Sequence, residues 1–277
     1  MPRRSPRCGA KPAGSVAPAG ALQRAITLYQ LALIEAGNVD GLMLGRFRVI
    51  DRLRATPRET LYRVFDPSRA DARNSGTFLL RHLSEAEMQD ATHPDEFRQR
   101  FAAARAAAHS NLAGVVELLE LDGRPAVLLE WLTGLYSGDW PVHASHPGCW
   151  VRLMTMAAEG IAAAHRVGLV HGRLTSDSFL LPASGLLKVT GFGEPMWLSG
   201  GPLPSVEPSF ATDLRALGQV SYGWSQLASK KRTRPGKAFP AELIAIVRRL
   251  EADPEPPMRT PCPRTNPTNP PRSWSPI

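Results

Sequence analysis

Cysteine is scarce in this chain: Cys8, Cys149 and Cys262 lie far apart. That spacing excludes a disulfide framework and a C-x-x-C motif, and it suits a reducing cytoplasm. No apolar run approaches the roughly 20 residues that span a membrane. The basic N-terminus is not followed by an apolar stretch and a small-residue cleavage site, so no secretory signal is expected. Acids are missing from residues 1–20, from the loop 229–237 and from residue 259 onward, and these stretches hold twelve cations. Setting those twelve aside turns the formal net charge from +8 to −4, so the basicity belongs to the edges of a mildly acidic body. Such edges read as solvated segments, and nucleic acid is not an expected partner. G-x-S-x-G, H-E-x-x-H and the Walker A pattern are absent too, which removes the sequence signs of a serine hydrolase, a zincin and a P-loop NTPase.

What is present is enough hydrophobic sequence, 43% of 277 residues, for a sizeable core. Residues 1–20 are rich in Pro, Gly, Ala and Arg and read as a disordered basic tail. Residues 21–40 read as a helical segment, because Leu22, Ile26, Tyr29, Leu33 and Ile34 recur at helical steps before the stop at Gly37. Short strand-like runs, alternating over 60–65 and set off by turn residues elsewhere, predict strands over 46–53, 60–65, 77–83, 115–121 and 125–131. An Ala- and Arg-rich helix is predicted from Pro94 to about His109. These elements form a first unit, 42–131. Residues 132–258 read as mostly helical, with helices over 150–167, 213–227 and 241–252. Residues 259–277, rich in Pro, Asn and Thr, read as a second disordered tail. The expected class is α+β, with a small five-stranded antiparallel lobe carrying one long helix and a mostly helical, truncated second lobe.

The most informative stretch is His171-Gly172-Arg173-Leu174-Thr175-Ser176-Asp177-Ser178-Phe179-Leu180-Leu181. It is similar to the protein-kinase catalytic loop H-R-D-L-x-x-x-N, with Arg173 in the place of the catalytic Asp and Ser178 in that of the metal-binding Asn. Together with the order of elements, it makes residues 42–260 resemble a bacterial Ser/Thr protein kinase of the eukaryotic-like fold, in a degenerate form.

That resemblance implies a role for each further motif. The glycine positions of the nucleotide loop fall on Arg54, Thr56 and Glu59, where Glu59 would repel phosphate and the stretch reads as a polar hairpin turn. The phosphate-pairing Lys falls on Arg81 in Phe78-Leu79-Leu80-Arg81. Leu61, Leu79 and Leu180 take the positions that sandwich the adenine, and they are expected to fill that slot. Counting back from Asn111 puts the helix-C Glu at Ala103. The metal-binding D-F-G reads Gly191-Phe192-Gly193, with Glu194 nearby. Asp177 reads as a turn residue. Asp213, in Asp213-Leu214-Arg215-Ala216-Leu217-Gly218, is expected to hold the backbone at His171 and Gly172, and His171 and Phe192 are expected to be structural. No catalytic residue, no cofactor and no metal is therefore expected.

The resulting expectation is a pseudokinase: a cytoplasmic scaffold or regulator in signalling that binds proteins, such as an active kinase or a substrate. Three alternatives stay open. An active or residually active Ser/Thr kinase would need ATP and magnesium, with Arg81 and Glu194 in altered roles. A nucleic-acid or membrane-surface binder would use Lys230, Lys231 and Arg232. A decayed gene copy would have no function. A weaker constellation, His143-x-x-His146-x-x-Cys149, has zinc-ligand types but no fourth ligand in sight.

Overall fold

The structure is a computed structural model, and it describes residues 26–71, 75–140, 146–199, 207–230 and 240–252. The basic tail, the loop 231–239, His143 and the C-terminal tail lie outside the described residues.

The first lobe is built on one antiparallel sheet. Its strands are β1 (Met43–Leu44), β2 (Phe47–Ala55), β3 (Glu59–Phe65), β4 (Thr77–Leu83), β5 (Val115–Leu121) and β6 (Arg124–Glu130), in the order β1-β2-β3-β4-β6-β5. The sheet has six strands where sequence predicts five. The extra strand is two residues long, too short to show a period, and Gly45 at φ 57° lets it turn back onto β2. The other strands follow from alternation. Tyr62, Val64, Phe78, Leu80, Ala126 and Leu128 share one face and form a core with Phe47. The opposite face carries Leu83 and Val127, which pack against Phe97 and Phe101 of helix α2 (Thr92–Ala106).

Ahead of the sheet, helix α1 (Leu28–Glu35) begins at a capping box made by Thr27 and Gln30. The same two side chains donate to the backbone of β2, Thr27 Oγ1 to Ile50 O at 2.6 Å and Gln30 Nε2 to Val49 O at 2.8 Å. The helix is shorter than the 22–36 periodicity suggests, and residues 22–25 lie outside the described set.

The second lobe contains α3 (Pro147–Arg166), α4 (Phe210–Lys230) and α5 (Ala241–Glu251), plus a small sheet of β7 (Gly134–Tyr136), β8 (Phe179–Pro182) and β9 (Lys188–Val189). One core runs from Trp140 and Trp150 through Ile161, Phe179 and Leu217 to Val247, and includes Ala104 of α2. His146 caps α3 by accepting from Gly148 N, and no cluster of three metal-ligand side chains forms among the described residues.

Candidate functional site: the cleft at Arg81

The site begins with the turn between β2 and β3. Thr56 N donates to Glu59 O at 2.9 Å, which closes a tight hairpin. Thr56 Oγ1 in turn accepts from Arg58 N and Glu59 N at 3.3 and 3.1 Å. A phosphate-binding loop works by offering such backbone donors to a ligand. Here they are already bonded within the turn.

Strand register then decides which side chains meet. Glu59 lies opposite Leu83, Leu61 opposite Arg81, and Arg63 opposite Leu79. Directly paired residues of an antiparallel sheet share a face, so all six look toward α2 and the cleft. On that face Glu59 and Arg81 are 1% and 4% exposed. Arg81 Nε and Nη2 donate to the two carboxylate oxygens of Glu59 at 2.8 and 2.7 Å, a bidentate pair. Arg54 Nη2 adds a bond to Glu59 Oε1 at 2.9 Å. On its other side Arg81 Nη1 forms an ion pair with Glu194, just beyond Gly193. Burial disfavours charge on Arg81, but the field of Glu194 and the hydrogen bonds of Glu59 overcome it and raise the guanidinium pKa. Burial likewise works against charge on Glu194, and Arg81 overcomes it to hold that carboxyl below its ordinary value.

The face of α2 toward Arg81 is aromatic. The Arg81 guanidinium carbon lies 5.8 Å from the centre of the Phe101 ring. Ala103, where the sequence count places the helix-C Glu position, is half-buried and packs against the core of the second lobe.

The catalytic-loop frame is held by Asp213 in the first turn of α4. Its carboxylate accepts from His171 N and Gly172 N, both at 2.8 Å, and lies 2.9 Å from His165 Nε2. His171 Nε2 donates to Thr190 O at 2.9 Å, while its Nδ1 accepts from Arg173 N at 3.2 Å. Those two bonds fix the neutral Nε2–H tautomer, since a carbonyl can only accept and the amide can only donate. Burial pushes the His171 pKa down in the same sense. The ring meets Phe192 edge-on, with centroids 4.9 Å apart.

Arg173, Ser178 and Gly191, the positions that the resemblance assigns to the catalytic and metal-binding groups, are built into the local structure. Arg173 Nη1 points to Met196 O at 3.4 Å. Ser178 Oγ accepts from Thr175 N at 3.1 Å and sits in a short capped turn. Gly191 adopts φ 88°, and a Cβ there would lie 2.8 Å from His171 Nε2. Asp177 is exposed and accepts from Ser176 Oγ at 3.4 Å. Leu61 and Leu79 are half-buried on the cleft face of the sheet, and Leu180 is buried on β8.

The segment after Gly193 packs against α2. A Cβ at Gly193 would lie 2.8 Å from the Ala104 Cβ, so only glycine permits that approach. Leu198 is buried among Leu83, Phe97, Phe101 and Val127. Trp197 stacks on His93 at 3.9 Å and donates to Glu96 at 2.7 Å. Two further bonds join the lobes: Lys188 Nζ to Glu130 at 2.9 Å and Arg100 Nη2 to Val170 O at 3.1 Å. Sequence reading notes Glu194 as a nearby carboxylate and couples it with Arg81 only in the active-kinase alternative, and it does not anticipate Trp197 or Leu198. Same-face parity of Glu59 and Arg81 on adjacent strands was the available signal for the first pair.

This geometry defines a two-lobed protein-kinase fold with an internally paired cleft. The structure is similar to the kinase domain of Mycobacterium tuberculosis PknI, with a TM-score of 0.52 and 21% identity over 77% of this chain and 90% of that one. A second structure of that domain gives 0.51 at 22% identity, with the same coverage. Among curated proteins, the probable serine/threonine-protein kinase pknA2 of Bifidobacterium longum (strain NCC 2705) is 21% identical over 160 residues, 54% of this chain. The chain spans only 20% of that relative's length. No protein-family model matches. The fold is thus that of a protein-kinase domain. No helix among the described residues is long and apolar enough to cross a membrane.

Proposed function

We propose that this chain is a kinase-fold protein that has lost phosphotransfer and acts as a nucleotide-independent scaffold or regulator, binding protein partners in cytoplasmic signalling. The observation that carries this reading is the state of Arg81. The cation at the phosphate-pairing position is shared between Glu59 and Glu194. A nucleotide phosphate would have to displace a bidentate carboxylate that is almost fully buried. The donors of Arg58 and Glu59 are bonded to Thr56, so the loop offers phosphate little either. Magnesium needs oxygen ligands in strict octahedral geometry. Arg173, Ser178 and Gly191 supply no carboxylate, so this set of side chains does not fit a magnesium–nucleotide group. Losing a general base alone costs roughly 10²–10⁴ in rate. The retained frame around Asp213, His171 and Phe192 supports a folded binding module.

A thermal-shift titration with ATP and magnesium or manganese tests this reading. No saturable stabilisation is expected, whereas a bound ligand at 100 times its Kd would add about 2.7 kcal/mol. Incorporation of label from radioactive ATP by the natural chain, above that of a heat-inactivated sample, would overturn it.

A further inference from the structure

A cavity of about 360 Å³ opens at the C-terminal end of α2, where the chain turns into β5 and passes Lys188 of β9. Small-molecule sites typically enclose about 300–1,000 Å³. The cavity shares no residue with the network of Arg81, Glu59 and Glu194, so what fills it does not depend on whether the cleft takes nucleotide.

The polar side chains that line it can all donate. Arg105 has no hydrogen-bond or ion-pair partner among the described residues, and no acid stands three or four positions from it in the chain. His109 Nδ1 accepts from Asn111 N at 3.2 Å, which puts the ring proton on Nε2 and leaves that N–H as a donor. Lys188 Nζ bonds to Glu130 at 2.9 Å and to Leu112 O at 3.3 Å, so one of its three protons remains. The Ser110 hydroxyl completes the set. Glu130 is neutralised by Lys188, which leaves Arg105 as the single uncompensated charge of the lining. The rest of the wall is apolar, with Ala108, Leu112 and Val115 prominent.

We propose that this cavity binds a small monocarboxylic acid, with its carboxylate at Arg105, His109 and Ser110 and a short hydrocarbon or aryl body against Ala108, Leu112 and Val115. A guanidinium matches a carboxylate with two parallel hydrogen bonds. One unpaired cation suits a monoanion, whereas a phosphate dianion would bring a second charge beside Glu130. The apolar wall then covers the body of the ligand, as in other small-molecule sites. Because α2 belongs to the first lobe and Lys188 to the second, a bound acid would tie the end of α2 to the second lobe.

The test is calorimetric titration of the full chain with sodium phenylacetate and sodium octanoate, beside phenylacetamide and inorganic phosphate. Saturable binding of at least one acid is expected, with a Kd of about 5 mM or tighter, the weak end for a ligand of roughly ten non-hydrogen atoms. Phenylacetamide should bind about tenfold more weakly than phenylacetate, or not at all. Arg105→Gln, at an exposed position, should leave the melting temperature unchanged and weaken acid binding about tenfold or more. Ala108→Phe should abolish binding by filling the cavity; if that variant folds poorly, Arg105→Gln still decides. Saturation should also slow amide exchange at the end of α2, and unchanged exchange there would overturn the link between the lobes. The proposal is overturned if neither acid binds saturably, if Arg105→Gln binds them as the natural chain does, or if phenylacetamide or phosphate binds as tightly as the acids. Tighter binding of the blocked dipeptide acetyl-Phe-Glu-amide would overturn it as well, for then the carboxylate belongs to a partner protein.

Discussion

Glu59 and Arg81, one strand apart on the cleft face, form a bidentate ion pair at 2.7 and 2.8 Å with both side chains buried. The sequence resemblance assigns these two positions to a loop glycine and the phosphate-pairing lysine. In this chain the cation is held by the protein's own carboxylates.

Glu59→Ala should cost about 1–3 kcal/mol in urea denaturation, because the buried Arg81 loses its two charge-assisted hydrogen bonds and keeps Glu194 as its partner. The double variant Glu59→Met/Arg81→Met should recover most of that loss, since an apolar pair of similar volume needs no desolvated charge. A double variant as unstable as the single one would show that the pair is not the source of the cost.

The Gly191-Phe192-Gly193 turn should resist restoration of its acid. Gly191→Asp forces a side chain into φ 88° and brings Cβ to 2.8 Å from His171 Nε2. Left-handed strain of this kind costs about 1–3 kcal/mol, with the contact in addition. The variant should melt lower than the natural chain and gain no phosphotransfer, alone or with Arg173→Asp. Radiolabel transfer and a melting curve check both halves.

Asp213 holds three donors from two elements, and all of its acceptors are enclosed. Asp213→Ala leaves the amides of His171 and Gly172 without a partner at a cost of about 1–3 kcal/mol for each stranded group. Asp213→Asn keeps one carbonyl oxygen and should cost less. Amide exchange at 171 and 172 should rise first in the alanine variant.

Much of the frame is legible in the residues because it rests on local periods. Thr77–Leu83 and Val115–Leu121 have the bounds that their strand-forming runs predict. The long helix begins at Thr92 rather than Pro94, as proline is tolerated in a first turn, and ends at Ala106 rather than His109, where Asn111 and His109 start a turn. The departures from the kinase motifs on which the proposed loss of phosphotransfer rests are also legible, since each motif is a contiguous string. The cleft chemistry is not. Glu59 and Arg81 are 22 positions apart and Glu194 is on the other lobe, so their meeting depends on register and lobe packing. Read alone, Glu59 is a turn residue that repels phosphate. In place, it is the buried partner of Arg81 and of Arg54.

Leu198 joins the segment after Gly193 to the first lobe, buried between the sheet and α2. Leu198→Ala should cost about 2–5 kcal/mol. The loss should be local at first: hydrogen exchange should speed up in α2 and around Glu194 before it does in α3. Trp197→Phe keeps the stacking on His93 and removes the bond to Glu96, and it should fall between the natural chain and Leu198→Ala. Uniform acceleration across both lobes would mean that this segment does not open independently of the whole fold.

Acid should destabilise the chain in two stages. Burial lowers the folded pKa of His171 and of His82, and both begin from an unfolded value of 6.5. A group whose folded pKa is depressed binds more protons when unfolded, so its neutral state stabilises fully above pH 6.5 and progressively less below it. For each such histidine the slope is at most about 1.4 kcal/mol per pH unit. Glu194, held low by Arg81, adds stability above its ordinary 4.5 that is lost as pH falls further. Stability measured by urea midpoint should therefore decline from about pH 6.5, before the carboxylates titrate. His171→Gln should lower stability at neutral pH but flatten this first stage, because the amide can still donate to Thr190 O without taking up a proton. An unchanged slope between pH 6.5 and 5 in a His171→Gln/His82→Gln variant would show that neither ring is held neutral in the folded chain.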